Sequence, residues 1–142
     1  MPTFRLVLEY DGTDFVGWHA QAGAPQRTVQ GVLEAAVAQV TGVAAAVTGA
    51  GRTDAGVHAE AQLASVRVET RLDPATLRRA LNAVLPLDVC VKQVETAADD
   101  FHALRDATGK HYRYRVWNGP IRSPLRARTH HWLRAPLDLE RM

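Results

Sequence analysis

Gly49-Ala50-Gly51-Arg52-Thr53-Asp54-Ala55-Gly56-Val57-His58-Ala59 sets one carboxylate, one guanidinium and three glycines between two apolar runs. Residues 43–48 read as a short strand entering this stretch. Residues 61–68 read as a strand leaving it, with Leu63, Ser65 and Arg67 alternating against Gln62, Ala64, Val66 and Val68. The stretch is therefore a connection between two strands. Asp54 has glycines on both sides, so the backbone there can take positive φ and let another molecule approach closely, while Arg52 can hold an anion. Taken one residue at a time, the same composition also describes an ordinary polar turn.

Working outward, residues 4–10 alternate or run apolar as a first strand, and a glycine- and alanine-rich connection follows through Gln26. Thr28 is suited to cap a helix in which Val29, Val32, Leu33, Ala36, Val37 and Val40 recur at helical spacing until Gly42 ends it. Beyond the loop and its second strand, Asp73-Pro74 starts another helix, because Asp satisfies free amides and Pro fits the first helical position. Leu77, Leu81 and Val84 give that helix one apolar face before Pro86 stops it. Residues 89–94 read as the next strand, and residues 111–117 alternate as a further one ended by Asn118-Gly119-Pro120. The order β-α-β-β-α-β-β predicts an α+β domain of the ferredoxin-like, split β-α-β kind, an antiparallel sheet with both helices on one face. Pro136 to Met142 has the character of a helix's first turn, so the expected organisation is one domain over 1–135 and the start of a further half over 136–142.

The 142 residues suffice for one domain with a real core, and the 46% hydrophobic and 23% charged fractions are those of a globular protein. No apolar run approaches the roughly 18 residues of a membrane span, and the first residues lack the plan of a secretion signal, so the expected location is the cytoplasm. Cys90 is the only cysteine. It excludes an intrachain disulfide and a cysteine-based zinc site, and Val89 and Val91 beside it suggest core packing.

Charge is segregated along the chain. Residues 1–101 hold 8 Lys/Arg against 12 Asp/Glu, whereas residues 102–134 hold 8 against 1. Tyr112, Tyr114 and Trp117 alternate with Arg113 and Arg115, and such a mixture suits phosphates and unstacked bases. Arg105, Lys110, Arg113 and Arg115 are the candidate RNA-binding cations of this basic stretch, although a strand with one solvated arginine face would show the same pattern.

As a whole string, Gly51-Arg52-Thr53-Asp54-Ala55-Gly56-Val57-His58-Ala59 closely resembles the signature of the TruA family of tRNA pseudouridine synthases. The similarity continues in Tyr10-Asp11-Gly12 with Phe15, Gly17 and Trp18, in Thr28-Val29-Gln30 with Leu33-Glu34, and in Asn82 with Leu85-Pro86. It extends to Phe101-His102-Ala103 and Tyr112-Arg113-Tyr114, in the family's order from residue 3 to the last residue. Members of that family are substantially longer and carry a second α/β half. This chain departs from the pattern at His19, where Gln is usual, at Val66 in place of Phe, and at Leu104-Arg105 in place of Arg then Phe.

The resemblance implies an isomerase that converts uridine to pseudouridine in the anticodon stem-loop of tRNA, working as a homodimer with tRNA bridging the subunits. It places the catalytic aspartate on Asp54. It also implies that Arg52 holds the gap left by an extruded nucleotide and that Tyr112 stacks on the flipped uracil; by period two Tyr114 lies on the same strand face and reads as a core or supporting residue. A carboxylate nucleophile can add and leave again, so no cofactor or metal is expected. His58-Ala59-Glu60 has the His-x-Glu form of a zinc deaminase, but a single cysteine cannot complete that ligand set, and His102, His130 and His131 show no ligand spacing. Two other readings stay open at this level: a shortened, inactive homologue that only binds structured RNA, and a structural subunit that does not bind RNA.

Overall fold

In a computed structural model of the chain, which describes residues 1–19 and 26–142, Thr3–Tyr10 forms β1. Its even-numbered residues Phe4, Leu6, Leu8 and Tyr10 are all buried, whereas Glu9 on the opposite face is exposed. A short 3-10 turn at Gly12–Asp14 follows, then α1 (Val29–Thr41), β2 (Val47–Gly49), β3 (Ala59–Arg67), α2 (Pro74–Val84) and β4 (Val89–Ala97). The sheet order is β2-β3-β1-β4 with every neighbouring pair antiparallel. Val29, Leu33 and Val37 of α1 and Leu77 and Leu81 of α2 join the apolar face of β1 in one core. This is the expected split β-α-β plan with both helices on one face.

Local chemistry explains the element ends. The Thr28 hydroxyl accepts from the Gly31 amide at 3.1 Å, and Gly42 closes α1 in the left-handed conformation at φ 76. The Asp73 carboxylate accepts from the Thr76 amide at 2.9 Å, and α2 ends at Leu85, whose extended backbone is what a residue before proline adopts. Side chains of α1 also fix the edge strand. Gln30 Nε2 donates to the Val47 carbonyl at 2.8 Å and Glu34 accepts from the Val47 amide at 2.9 Å. On the other edge, the register of β4 against β1 slips between Val7 and Leu8. Beside that bulge Asn82 bonds both backbone groups of Val91, at 2.8 and 2.7 Å.

Several sequence expectations change in detail. The strand expected over 43–48 is confined to Val47–Gly49, because only those residues pair with β3 and the valine and alanines before them are largely exposed. Cys90 is half-buried rather than packed fully in the core. Residues 20–25 of the glycine- and alanine-rich connection lie outside the described residues.

The chain divides into two compact units, Met1–Thr108 and Gly109–Met142, a division that falls inside the span 1–135 read as one domain. The second unit contains β5 (Val116–Asn118) and β6 (His131–Leu133), paired in parallel as a separate two-stranded sheet. The expected strand over 111–117 is thereby corrected: residues 111–115 are extended in pattern but find no ladder, since β6 offers only three residues to pair with. Tyr114, read as core or supporting, is 91% exposed. Residues 136–142 form a turn closed by the Arg141 amide on the Asp138 carbonyl at 3.2 Å, not a helical start.

Two outcomes follow from the caps and ion pairs. Replacing Thr28 with Ala removes a buried cap and is expected to lower unfolding free energy by about 1–2 kcal/mol in a urea titration with unchanged slope. Arg27 grips Asp88 with both nitrogens, at 2.7 and 2.9 Å, and this hydrogen bonding holds the Asp88 carboxyl below the usual carboxylate range. A carboxyl depressed in the folded state stabilises it above the unfolded pKa and stops doing so as pH falls through the folded one. The urea midpoints of the parent and of Asp88→Asn are therefore expected to differ at neutral pH and to converge below about pH 4.

Candidate active site

Asp54 lies in the connection between β2 and β3, and its side chain is exposed. It has no hydrogen bond or ion pair among the described residues, and neither has the exposed guanidinium of Arg52 two residues before it. The two side chains of the loop do not pair with each other, so both remain available to a ligand.

The backbone carrying them is fastened at nearly every residue. The Gly51 carbonyl accepts from Gln62 Nε2 at 2.6 Å, the Thr53 carbonyl from the Trp18 amide at 3.0 Å, and the Asp54 carbonyl from the Val57 amide at 3.1 Å. The Gly56 amide donates to the Phe15 carbonyl at 3.2 Å, and Gly56 adopts φ 79, the left-handed conformation that its neighbour Asp54 does not need to take. Gly51, the glycine on the other side, has no positive φ.

The partner of the loop is the segment from Tyr10 to Trp18. The Tyr10 hydroxyl lies 2.8 Å from the Thr53 hydroxyl; burial, the larger effect, raises the phenol's pKa, while hydrogen bonds to Thr53 and Gln62 act the other way. Gly12 and Gly17 are required by contact. A Cβ on Gly12 would sit 2.0 Å from the Val57 carbonyl oxygen, and one on Gly17, whose φ is 98, would sit 2.8 Å from that of Thr53. The same segment starts α1, since the Gly17 and Trp18 carbonyls accept from the Val29 and Gln30 amides at 3.2 and 3.0 Å. Trp18 is buried against Gly49, where a Cβ would lie 2.6 Å from its ring. Loop, 3-10 turn and helix start thus form one hydrogen-bonded assembly.

The remaining sequence candidates are dispersed. Arg105 belongs to the first unit, in residues 101–106, which form a turn. Its guanidinium is held by Asp106 at 3.0 Å and by the Asp100 carbonyl at 2.5 Å, and the Asp106 hydrogen bond raises its pKa further. The turn is anchored by the Ala103 amide on the Ser65 hydroxyl at 3.1 Å. Lys110, Tyr112, Arg113 and Arg115 belong to the second unit, where all four are exposed. Among the described residues no group of three or more His, Cys, Asp or Glu could hold a metal ion.

Gln62 is a site residue that sequence reasoning passed over. Its signal was a polar side chain at a position of β3 in register with buried Leu8, on the face that also carries Ala64 and Val66. No helix among the described residues is long and apolar enough to cross a membrane.

The fit of Gly12 against Val57 gives a direct test of the assembly. Gly12→Ala is expected to cost about 1–3 kcal/mol through overpacking and to lift the Asp54 loop, read as lost protection of the Trp18 and Gly56 amides in hydrogen exchange. Gly109→Ala, with open space at its Cβ position, is expected to change neither.

The family model for tRNA pseudouridine synthase matches residues 6–104. A tRNA pseudouridine synthase A of Solidesulfovibrio magneticus is 51% identical over 120 residues, covering 84% of this chain and 44% of the relative. Those of Myxococcus xanthus and Roseiflexus sp. are 45% and 48% identical over 142 residues, covering the whole chain and 53% and 52% of the relatives. The chain spans about half the length of the curated relatives it matches. With the family model matched over residues 6–104 and relatives 45–51% identical, this chain belongs to the tRNA pseudouridine synthase family.

Proposed function

We propose that this chain supplies the aspartate-bearing part, residues 1–135, of a cytoplasmic, homodimeric enzyme that isomerises uridine to pseudouridine in the anticodon stem-loop of tRNA. The observation that carries this reading is the Asp54 carboxylate: exposed and uncommitted among the described residues, on a loop whose backbone is held on both sides. Catalysis by a side chain needs that combination of a free reactive group and a fixed carrier.

The reaction breaks the bond from ribose C1′ to uracil N1, turns the detached base, and joins C1′ to C5. A proton leaves C5 and N1 gains one, so atoms and charge balance without an oxidant or reductant. Asp54 serves as the nucleophile that bonds transiently to the substrate and departs. A base in a stem must first be extruded, at a cost of a few kcal/mol of stacking. Arg52, unpaired with Asp54, is the group to occupy the vacated space, and Tyr112 the ring to stack on the flipped uracil. Lys110, Arg113 and Arg115 are assigned to phosphates; Arg105 shares that assignment only if RNA displaces Asp106 from its guanidinium.

Asn is nearly isosteric with Asp but is no carboxylate nucleophile. Asp54→Asn is therefore expected to abolish tritium release from tRNA labelled at uridine C5, measured with the chain extended to the length of its relatives. Its tRNA affinity and stability are expected to stay within about 1 kcal/mol of the parent. Glu60→Gln, the acid/base under a deaminase reading, is expected to remain active. Parental turnover by the Asp54 variant overturns the mechanism; equal inactivity of the parent indicates an RNA-binding homologue without catalysis.

A further inference from the structure

We propose that His58 is a positioning residue for Asp54, acting as a hydrogen-bond acceptor that locks the far end of the loop to Gly12; this rests on the catalytic role proposed for Asp54. His58 is the last residue before β3, and its side chain is 31% exposed. Its Nδ1 lies 2.9 Å from the backbone nitrogen of Gly12, which is a donor. Nδ1 must then be the unprotonated nitrogen, with the ring proton on Nε2. The Asp11 carboxylate oxygen lies 3.2 Å from the same Nδ1 and accepts from the Thr13 amide at 3.0 Å and the Thr13 hydroxyl at 2.5 Å; the Gly12 amide, which can only donate, is what makes Nδ1 an acceptor.

The position of this bond gives it leverage. Gly12 is buried, and the Val57 carbonyl already fills the space a Cβ would take there, so side chain and backbone of consecutive residues grip one turn. The Asp54 carbonyl is bonded to the Val57 amide. A shift at Gly12 is thereby passed through Val57 to Asp54, whereas Arg52 at the other end is held independently by Gln62 on Gly51. His58 bonds Gly12 and lies beside Asp11 rather than Asp54, so its effect is on where the carboxylate stands.

Asn places its Oδ1 at the same point along the side chain as Nδ1, an acceptor without an imidazole. In the chain extended to the length of its relatives, His58→Ala is expected to lower kcat by about 10- to 100-fold with KM for tRNA within about twofold, and His58→Asn to recover most of the loss. In this chain alone, without RNA, hydrogen exchange at Gly12 and Val57 is expected to quicken in the Ala variant and not in the Asn variant, while the thermal transition stays cooperative in both. Unchanged kcat in His58→Ala, or an Asn variant that protects the Gly12 amide yet is as slow as Ala, overturns the proposal. Activity in Asp54→Asn overturns the underlying mechanism instead, and the exchange measurement still decides whether His58 holds the loop.

Discussion

The carbonyl oxygen of Val57 stands where Gly12 would carry a Cβ, and that close approach of two backbones is what the site depends on. Any side chain at Gly12 would separate them. Because they touch, the segment after β1 can hold the loop after β2 through main-chain hydrogen bonds at Trp18 and Phe15 and through the Gly12 amide on the His58 side chain. Main-chain bonds have short reach and little freedom, so a loop held by several of them moves only if the whole segment moves. Tyr10, Phe15 and Trp18 support it from below, with ring centroids 6.5 and 6.3 Å from Tyr10, and their burial makes that movement costly.

This arrangement separates two requirements that conflict within a single loop. A reactive carboxylate must be exposed and unpaired, which costs a loop the hydrogen bonds an aspartate normally makes to its own turn. Here the backbone takes those bonds from the neighbouring segment instead, and the Asp54 side chain is left free of partners among the described residues. The same segment receives the first amides of α1, so the site is tied to the helix whose Gln30 and Glu34 fix β2. Edge strand, loop and helix start therefore share one set of constraints, and that is why the family's quoted motifs are scattered in sequence.

In the second unit, chemistry is local in a different way. The Arg126 guanidinium lies 4.5 Å from the centre of the Trp117 ring, and the Trp117 and Trp132 indoles donate to the Ile121 and Gly119 carbonyls, both at 2.9 Å. These contacts, with the Asn118 amide on the Leu133 and Ala135 carbonyls, organise a short parallel pair joined by residues 119–130. A parallel pair needs such a long connection, whereas the antiparallel strands of the first unit do not.

Sequence by itself determined the elements whose signals are local. The caps at Thr28 and Asp73, the stop at Gly42, the alternation of β1 and the place of Asp54 between two strands depend on neighbours within a few residues, and periodicity with cap chemistry reports those directly. Tertiary structure alone decided which distant groups meet. Gln62 under Gly51, His58 on Gly12 and Ser65 holding the turn at Ala103 are separated by 11, 46 and 38 residues from their partners, beyond the range of any spacing rule. It also decided that residues 111–115, despite perfect alternation, are not strand, because alternation states which faces a ladder would have and only a partner of matching length supplies the ladder.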